Sequence, residues 1–303
     1  MRYALLAVGM LLAWITPSFA SATFTQHDAS YRMALSDETP GIRVDWSRQT
    51  VFIITQAQAS STKMGRKAYL AALDTALEMA RQQVRIGLSG MKMTSYATVK
   101  DAVVTQVIAE DYVTEVTKSV RPVVDKWDAG KRTVTLMCAL PMLGTGSVGE
   151  LAARLLKTEQ QSFAIHAVPP VTPKEKMTLR PKEPIVQISD GPYTGVILDC
   201  RGLYYTPVLL PKLVAENGKE FWGTLTLNHL LVKEKGVAEY QLNLQAALNS
   251  PRVGDTPLIL RPIGTAGTLR GDLVFNVDDA KLLTEQNDIA NFLAKLNVVI
   301  IID

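Results

Sequence analysis

Between Val168 and Pro184 the chain reads VPPVTPKEKMTLRPKEP, five prolines interleaved with charged residues. Proline fixes its own φ, offers no N–H and pushes the residue before it out of the helical region. Such a stretch builds neither a helix nor a central strand. It reads as a stiff, solvated linker over about residues 166–186. The division leaves 23–165 on one side and 187–303 on the other. An apolar share of 47% against 20% charge is enough for a packed core in each part.

In the first part, residues 24–42 are polar and irregular, and 44–59 (VDWSRQTVFIITQAQA) carry the β-branched and aromatic residues of a strand. Ala68, Ala72, Ala76 and Ala80 then recur every four residues beside Leu73, Leu77 and Val84, which predicts a long helix with a flat alanine ridge against a sheet. Gly87 and Gly90 are expected to end it. Thr98-x-x-Asp101 has the form of a capping box and starts a second, weaker helix. Residues 112–127 and 131–142 read as two strands joined at Asp128-Ala129-Gly130, and Ser147-x-x-Glu150 caps a last amphipathic helix.

The second part opens with a strand over 194–201. Asn217-Gly218, between apolar runs, is the strongest hairpin signal in the chain, because both residues tolerate positive φ. Residues 237–248 read as a helix, 258–263 and 269–275 as strands across a Gly264/Gly267 turn, and 279–296 as a helix broken near Asn287-Asp288. Val298 to Ile302 are five consecutive β-branched residues without polar alternation, the signature of a strand buried on both faces. The fold class that follows is α+β: two α+β domains, each a mainly antiparallel or mixed sheet covered by helices.

The first 22 residues order a positive start (Met1, Arg2), an apolar run from Ala4 to Ile15, a Thr16-Pro17 break and small residues at 18, 20 and 22. That order reads as a secretory signal peptide, and the run is shorter than the roughly 20 residues a bilayer span needs. No cysteine lies near the cut, so no lipid anchor is expected, and no membrane span remains after processing. The expected location is the periplasm, for a mature chain of about 280 residues. A formal net charge of +3 is too small to suggest a nucleic-acid partner.

Residues 44–142, with the alanine-spaced helix, its glycine stop and the paired strands ending in 133–142, resemble the LPP-twenty lipoprotein family. That family is in turn similar to the N-terminal region of flagellar assembly protein T. The resemblance implies an exported protein of the cell envelope, outer-membrane associated or flagellar, with an assembly role through protein–protein interaction and no enzymatic activity. The chain departs from it in lacking the lipid-bearing cysteine. YTGVILDCRGL at 193–203 and NSPRVGDTPL at 249–258 resemble a recurrent C-terminal module of exported bacterial proteins.

Residues that could carry chemistry are few. The three histidines, His27, His166 and His229, have no His or Cys at metal-ligand spacing, so no metal site is expected. Gly144-Thr145-Gly146-Ser147-Val148-Gly149 has glycines before a helix, but the strand before it looks antiparallel, which favours a connector over a dinucleotide loop. Lys63, Arg66 and Lys67 crowd a helix start as a solvated face or an anion site. Cys138 and Cys200, in an oxidising compartment, are either small buried hydrophobes or one bridge between the domains. Asp199 and Arg201 share a strand face, and Arg252 and Asp255 share a Pro251–Pro257 turn. These four are expected to form a crossed ion-pair network, or to line a pocket for a small anionic or sugar ligand. Asp199 and Asp255 as an acid–base pair are the third option. No catalytic residue, cofactor or metal ligand is assigned, and the partners expected are other envelope or flagellar proteins, with the oligomeric state left open.

Overall fold

The computed structural model describes residues 40–105, 109–165 and 192–303. The signal-peptide reading of residues 1–22, the linker at 166–186, and His27 and His166 lie outside the described residues.

The N-terminal half runs β1 (Gly41–Asp45), β2 (Thr50–Gln58), α1 (Gly65–Ser89), α2 (Val99–Val104), α3 (Glu110–Thr117), β3 (Arg121–Asp128), β4 (Thr133–Pro141) and α4 (Val148–Ile165). Its strands form one antiparallel sheet in the order β1-β2-β4-β3. The alanine ridge does what its spacing predicts: Ala68, Ala72, Ala76, Ala80, Val84 and Leu88 are the buried side of α1. Methyl-sized side chains bring the helix so close that the buried Thr55 hydroxyl on β2 donates to the Ala76 carbonyl at 2.8 Å. Val51 and Ile53 face this core, while Phe52, Ile54 and Met137 form a separate buried cluster.

Three expectations need correction here. The strand read over 44–59 is a hairpin, because the Asp45 carboxylate accepts from the Ser47 hydroxyl and the Arg48 N–H and turns the chain, with Gln49 at φ 50°. Residues 112–127 are a helix followed by a strand: Val113, Val116 and Thr117 are buried at helical spacing, behind acidic residues at the helix start. Gly87 lies inside α1, where the Ile42 side chain occupies the space a Cβ would need, and Gly90 is the actual cap. The capping box at Thr98 is present as read.

The C-terminal half runs β5 (Gly195–Asp199), β6 (Leu213–Ala215), β7 (Glu220–Trp222), α5 (His229–Lys235), β8 (Glu239–Gln241), α6 (Leu244–Leu248), β9 (Pro257–Leu260), β10 (Gly264–Ala266), β11 (Asp272–Phe275), α7 (Val277–Ala290) and β12 (Val298–Ile301). It holds two sheets, a mixed one ordered β10-β11-β6-β7 and an entirely parallel one ordered β8-β12-β5-β9. The run at 298–302 takes the interior place its composition demands, with Val298 to Ile301 all 0% exposed. The β6–β7 hairpin turns at Asn217-Gly218, Gly218 having φ 84°. The architecture is two α+β units built on antiparallel, mixed and parallel sheets.

The helix read over 237–248 is instead β8 plus the short α6. Tyr240 pairs with Ile300 in the sheet and its hydroxyl donates to the Val208 carbonyl at 2.7 Å, so tertiary contacts override a helical pattern. Asn243 begins the helix by accepting from the Ala246 N–H. The strand read over 258–263 is β9, which joins the parallel sheet rather than pairing with 269–275, and the hairpin partner of β11 is β10, formed by residues 264–266 of the expected turn. Helix α7 runs unbroken through Asn287-Asp288 and stops at the left-handed Asn291 cap, so the helix read over 279–296 is shorter at its end and has no break at that pair.

The halves are docked, not merely spaced. One continuous core cluster includes Ala76 and Leu136 from the first and Leu213, Phe275 and Ile300 from the second. Backbone N–H groups of Leu209, Leu210 and Leu269 donate to the carbonyls of Lys92, Met93 and Ser95. The Gln160 amide donates to the Thr224 and Leu227 carbonyls, and Trp46 meets Tyr240 edge to face at 5.2 Å. Among the described residues no helix is long and apolar enough to cross a membrane.

Candidate functional site

In a parallel sheet the carboxyl ends of the strands are where ligands are generally held. β5 ends there in Asp199, 7% exposed, whose carboxylate accepts two parallel bonds from Arg201, Nε to Oδ1 at 2.9 Å and Nη2 to Oδ2 at 2.8 Å. Arg261, which follows β9, brings its Nε to 3.5 Å from Oδ2. The next backbone N–H, of Gly202, donates to the Asp303 carboxylate at 3.0 Å just beyond β12. Asp199 hydrogen bonding holds the Arg201 guanidinium above its ordinary value, and burial opposes it. Tyr204 stands exposed in the adjoining loop at φ 52°, with the Arg270 guanidinium 5.5 Å from its ring centre.

Arg252 and Asp255 belong to the other end of the same sheet. The Pro251–Asp255 turn packs on the start of β5 so closely that a Cβ on Gly195 would lie 2.7 Å from Val253 Cα. Arg252 spreads its guanidinium over four carbonyls: Leu296 at 2.7 Å, Lys235 at 2.6 Å, Gly236 at 2.6 Å and Val237 at 3.0 Å. Burial pushes its pKa down to about 10, with Glu239 opposing. Asp255 is exposed. A five-residue strand separates the two ends by roughly 13 Å. The crossed network of Asp199, Arg201, Arg252 and Asp255 therefore does not form, nor does an Asp199–Asp255 acid–base pair. The sequence shows two Asp–Arg sets, whereas strand polarity decides that one closes the carboxyl edge and the other a loop junction at the amino edge.

No disulfide joins Cys138 and Cys200. Both thiols are buried, and burial pushes Cys138 up to about 12, far from thiolate reactivity. The 144–149 segment is a connector: β4 is antiparallel, the Gly144 and Gly149 N–H groups donate to the Lys233 and Met142 carbonyls, and the Ser147 hydroxyl turns back to the Gly144 carbonyl. Lys63, Arg66 and Lys67 are exposed at the start of α1. His229 is the first residue of α5 behind the Asn228 cap. Among the described residues no group of three or more His, Cys, Asp or Glu side chains could hold a metal ion. An apolar cavity of about 20 Å³ beside Trp46, Met142 and Tyr240 has room for about one water, not for a metabolite.

Sequence reading missed a polar cluster at the seam between the halves. Asp272, 4% exposed at the start of β11, accepts from the Lys212 N–H at 3.1 Å, and the Lys212 ammonium lies 3.1 Å from Glu220. Glu159 on α4 feels the charge of the same lysine, and Asp272 feels the Ser95 side chain in the α1–α2 loop. Burial pushes Asp272 up to about 6, against the Ser95 hydroxyl and the Lys212 ammonium; burial raises Glu159 likewise. The one available signal was an acidic residue on the inner stripe of an amphipathic helix.

Residues 195–303 match a family model described as Treponema pallidum Tp0624, second domain. The C-terminal half is similar to that domain. The match spans β5 to β12 and takes in both edge clusters, but none of the N-terminal half. The comparison with curated proteins finds no match.

Proposed function

We propose that the chain is a non-enzymatic, exported periplasmic protein that serves as an assembly or scaffold part of an envelope structure, outer-membrane associated or flagellar. The observation that carries this reading is the seam: two α+β units fused through one core and backbone hydrogen bonds present their outer surfaces at a fixed mutual geometry, which is what a structural part needs. The signal-peptide pattern and the resemblance of residues 44–142 to the LPP-twenty and flagellar assembly protein T families supply the compartment and the assembly role. The experiment is fractionation and in-cell crosslinking of the tagged chain. Recovery from the periplasm in a crosslinked envelope complex supports the proposal; full-length, unprocessed chain in the cytosol refutes it.

A second reading rests on the carboxyl edge of the parallel sheet, where Arg201 and Arg261 flank Asp199 in the position that suits a small anionic ligand. A thermal-shift screen with carboxylates, phosphates and sugar acids tests it. The reading requires a hit that Arg201→Ala abolishes; a uniformly negative screen removes it.

A further inference from the structure

We propose that the end of the N-terminal half farthest from the seam docks on an anionic phospholipid surface, through five cations gathered about an exposed Met64. The strands and α1 run lengthwise between the two ends. Trp46 before β2, Met142 after β4, and Lys92 to Ser95 after α1 lie at the seam end. The β2–α1 loop and the β3–β4 turn make the other end, and the 25-residue helix puts it roughly 37 Å away. Hydrogen bonds sew those two loops into one tip. The Arg132 guanidinium donates to the Ser60 carbonyl at 2.6 Å, to the Lys63 carbonyl, and to the Met64 sulfur at 3.8 Å. The Ala59 N–H donates back to the Arg132 carbonyl at 2.8 Å, and the Gln58 amide donates to the Lys131 carbonyl at 3.1 Å.

Charge concentrates at this tip. Lys63, Arg66, Lys67, Lys131 and Arg132 share the two loops with a single carboxylate, Asp128, which closes its own turn by accepting from the Lys131 N–H at 3.0 Å. Asp125, further along β3, takes the Tyr69 hydroxyl at 3.1 Å. None of the five cations has an ion-pair partner among the described residues, whereas Arg81, Arg85, Lys118 and Arg154 on the same half each hold a glutamate. Five cations less one carboxylate exceed the net +3 of the whole chain. The arrangement does not serve the helix. Cations oppose the dipole at its start, and Met64 stands at the cap position without a side-chain bond. An acidic protein would answer the charge alone. Met64, 74% exposed beside these cations, favours lipid, because a bilayer offers phosphates to the cations and acyl chains to the thioether. The inference goes beyond the assembly role and does not depend on it, since its test uses the purified chain.

The test is flotation of the mature chain with phosphatidylcholine vesicles, with and without about one-third phosphatidylglycerol. Wild type is expected to float only with the anionic lipid at about 0.1 M salt, and to be released at about 1 M, where screening shortens to about 3 Å. Lys63→Gln combined with Lys67→Gln should lower partitioning about 25-fold, at about fivefold per cation. Lys219→Gln combined with Lys281→Gln removes the same charge from exposed positions on the other half and should leave partitioning unchanged. A polarity-sensitive dye on Met64→Cys, the native thiols being buried, should shift to the blue on anionic vesicles. Absence of flotation with phosphatidylglycerol, an equal loss from the control pair, or an unshifted dye overturns the proposal. Capture by immobilised polyglutamate without flotation also overturns it and assigns the tip to an acidic protein. If the tip variant does not fold, the dye at position 64 decides.

Discussion

Arg252 joins three stretches of chain that lie outside the strands: its own turn, the end of α5 and the loop to β8 through Lys235, Gly236 and Val237, and the segment before β12 through Leu296. Truncating it to alanine removes all four bonds. Charge-assisted hydrogen bonds contribute at least about 1.5 kcal/mol each, so the gross loss is about 6 kcal/mol. Against this stands the cost of holding the charge away from water. A pKa lowered from 12.5 to about 10 corresponds to about 3 kcal/mol. The net destabilisation expected for Arg252→Ala is therefore about 3 kcal/mol, inside the range for breaking a buried charged contact. Arg252→Lys should recover less than half of it, because one ammonium cannot reach carbonyls spread across a planar fork. Urea unfolding of the mature chain, with midpoint and slope compared between variants, measures both. A loss below about 1 kcal/mol for the alanine variant, or full rescue by lysine, would show that solvent satisfies these carbonyls and that the guanidinium adds little.

Removing residues 298–303 takes the interior strand out of the parallel sheet, so circular dichroism and protease sensitivity should report an unfolded C-terminal half; a protease-resistant half would contradict the topology. Ala76→Leu forces a large side chain between α1 and β2, and is expected to cost about 1–3 kcal/mol in a thermal melt, whereas the exposed Leu70→Ala should change stability by less than about 0.5 kcal/mol. Thiol labelling of native protein should be negligible and should reach both cysteines after denaturation without reductant; one bridged pair under those conditions would contradict the buried-thiol arrangement.

Features set by one element's own pattern could be read directly. The alanine ridge specified its helix and its buried side, Asn217-Gly218 its hairpin, and the run at 298–302 a central strand, because each pattern is decided by a single periodicity or a single φ requirement. Reading along the chain failed where a side chain's own bonds decided the path. Asp45 turned one apparent strand into a hairpin through local bonds to Ser47 and Arg48, and Tyr240 drew a helix-like stretch into the sheet through its bond to Val208. The candidate site was half visible. Asp199 and Arg201 pair as their spacing allowed, but assigning Arg252 to the far edge requires knowing that β5 runs parallel to its neighbours. Arg261 and the Asp272 cluster depend on contacts between segments more than fifty residues apart, and no local pattern encodes them.

The interior place of β12 also constrains how the chain reaches its native state. Val196 on β5 pairs with Val298, and Glu239 on β8 pairs with Val299. In a polypeptide delivered amino end first, β5 and β8 wait with bare edges until that late segment arrives to slot between them. Bare strand edges invite pairing with other molecules. A holding chaperone, or fast delivery of the tail, would then govern the yield of native protein more than the strength of the finished sheet.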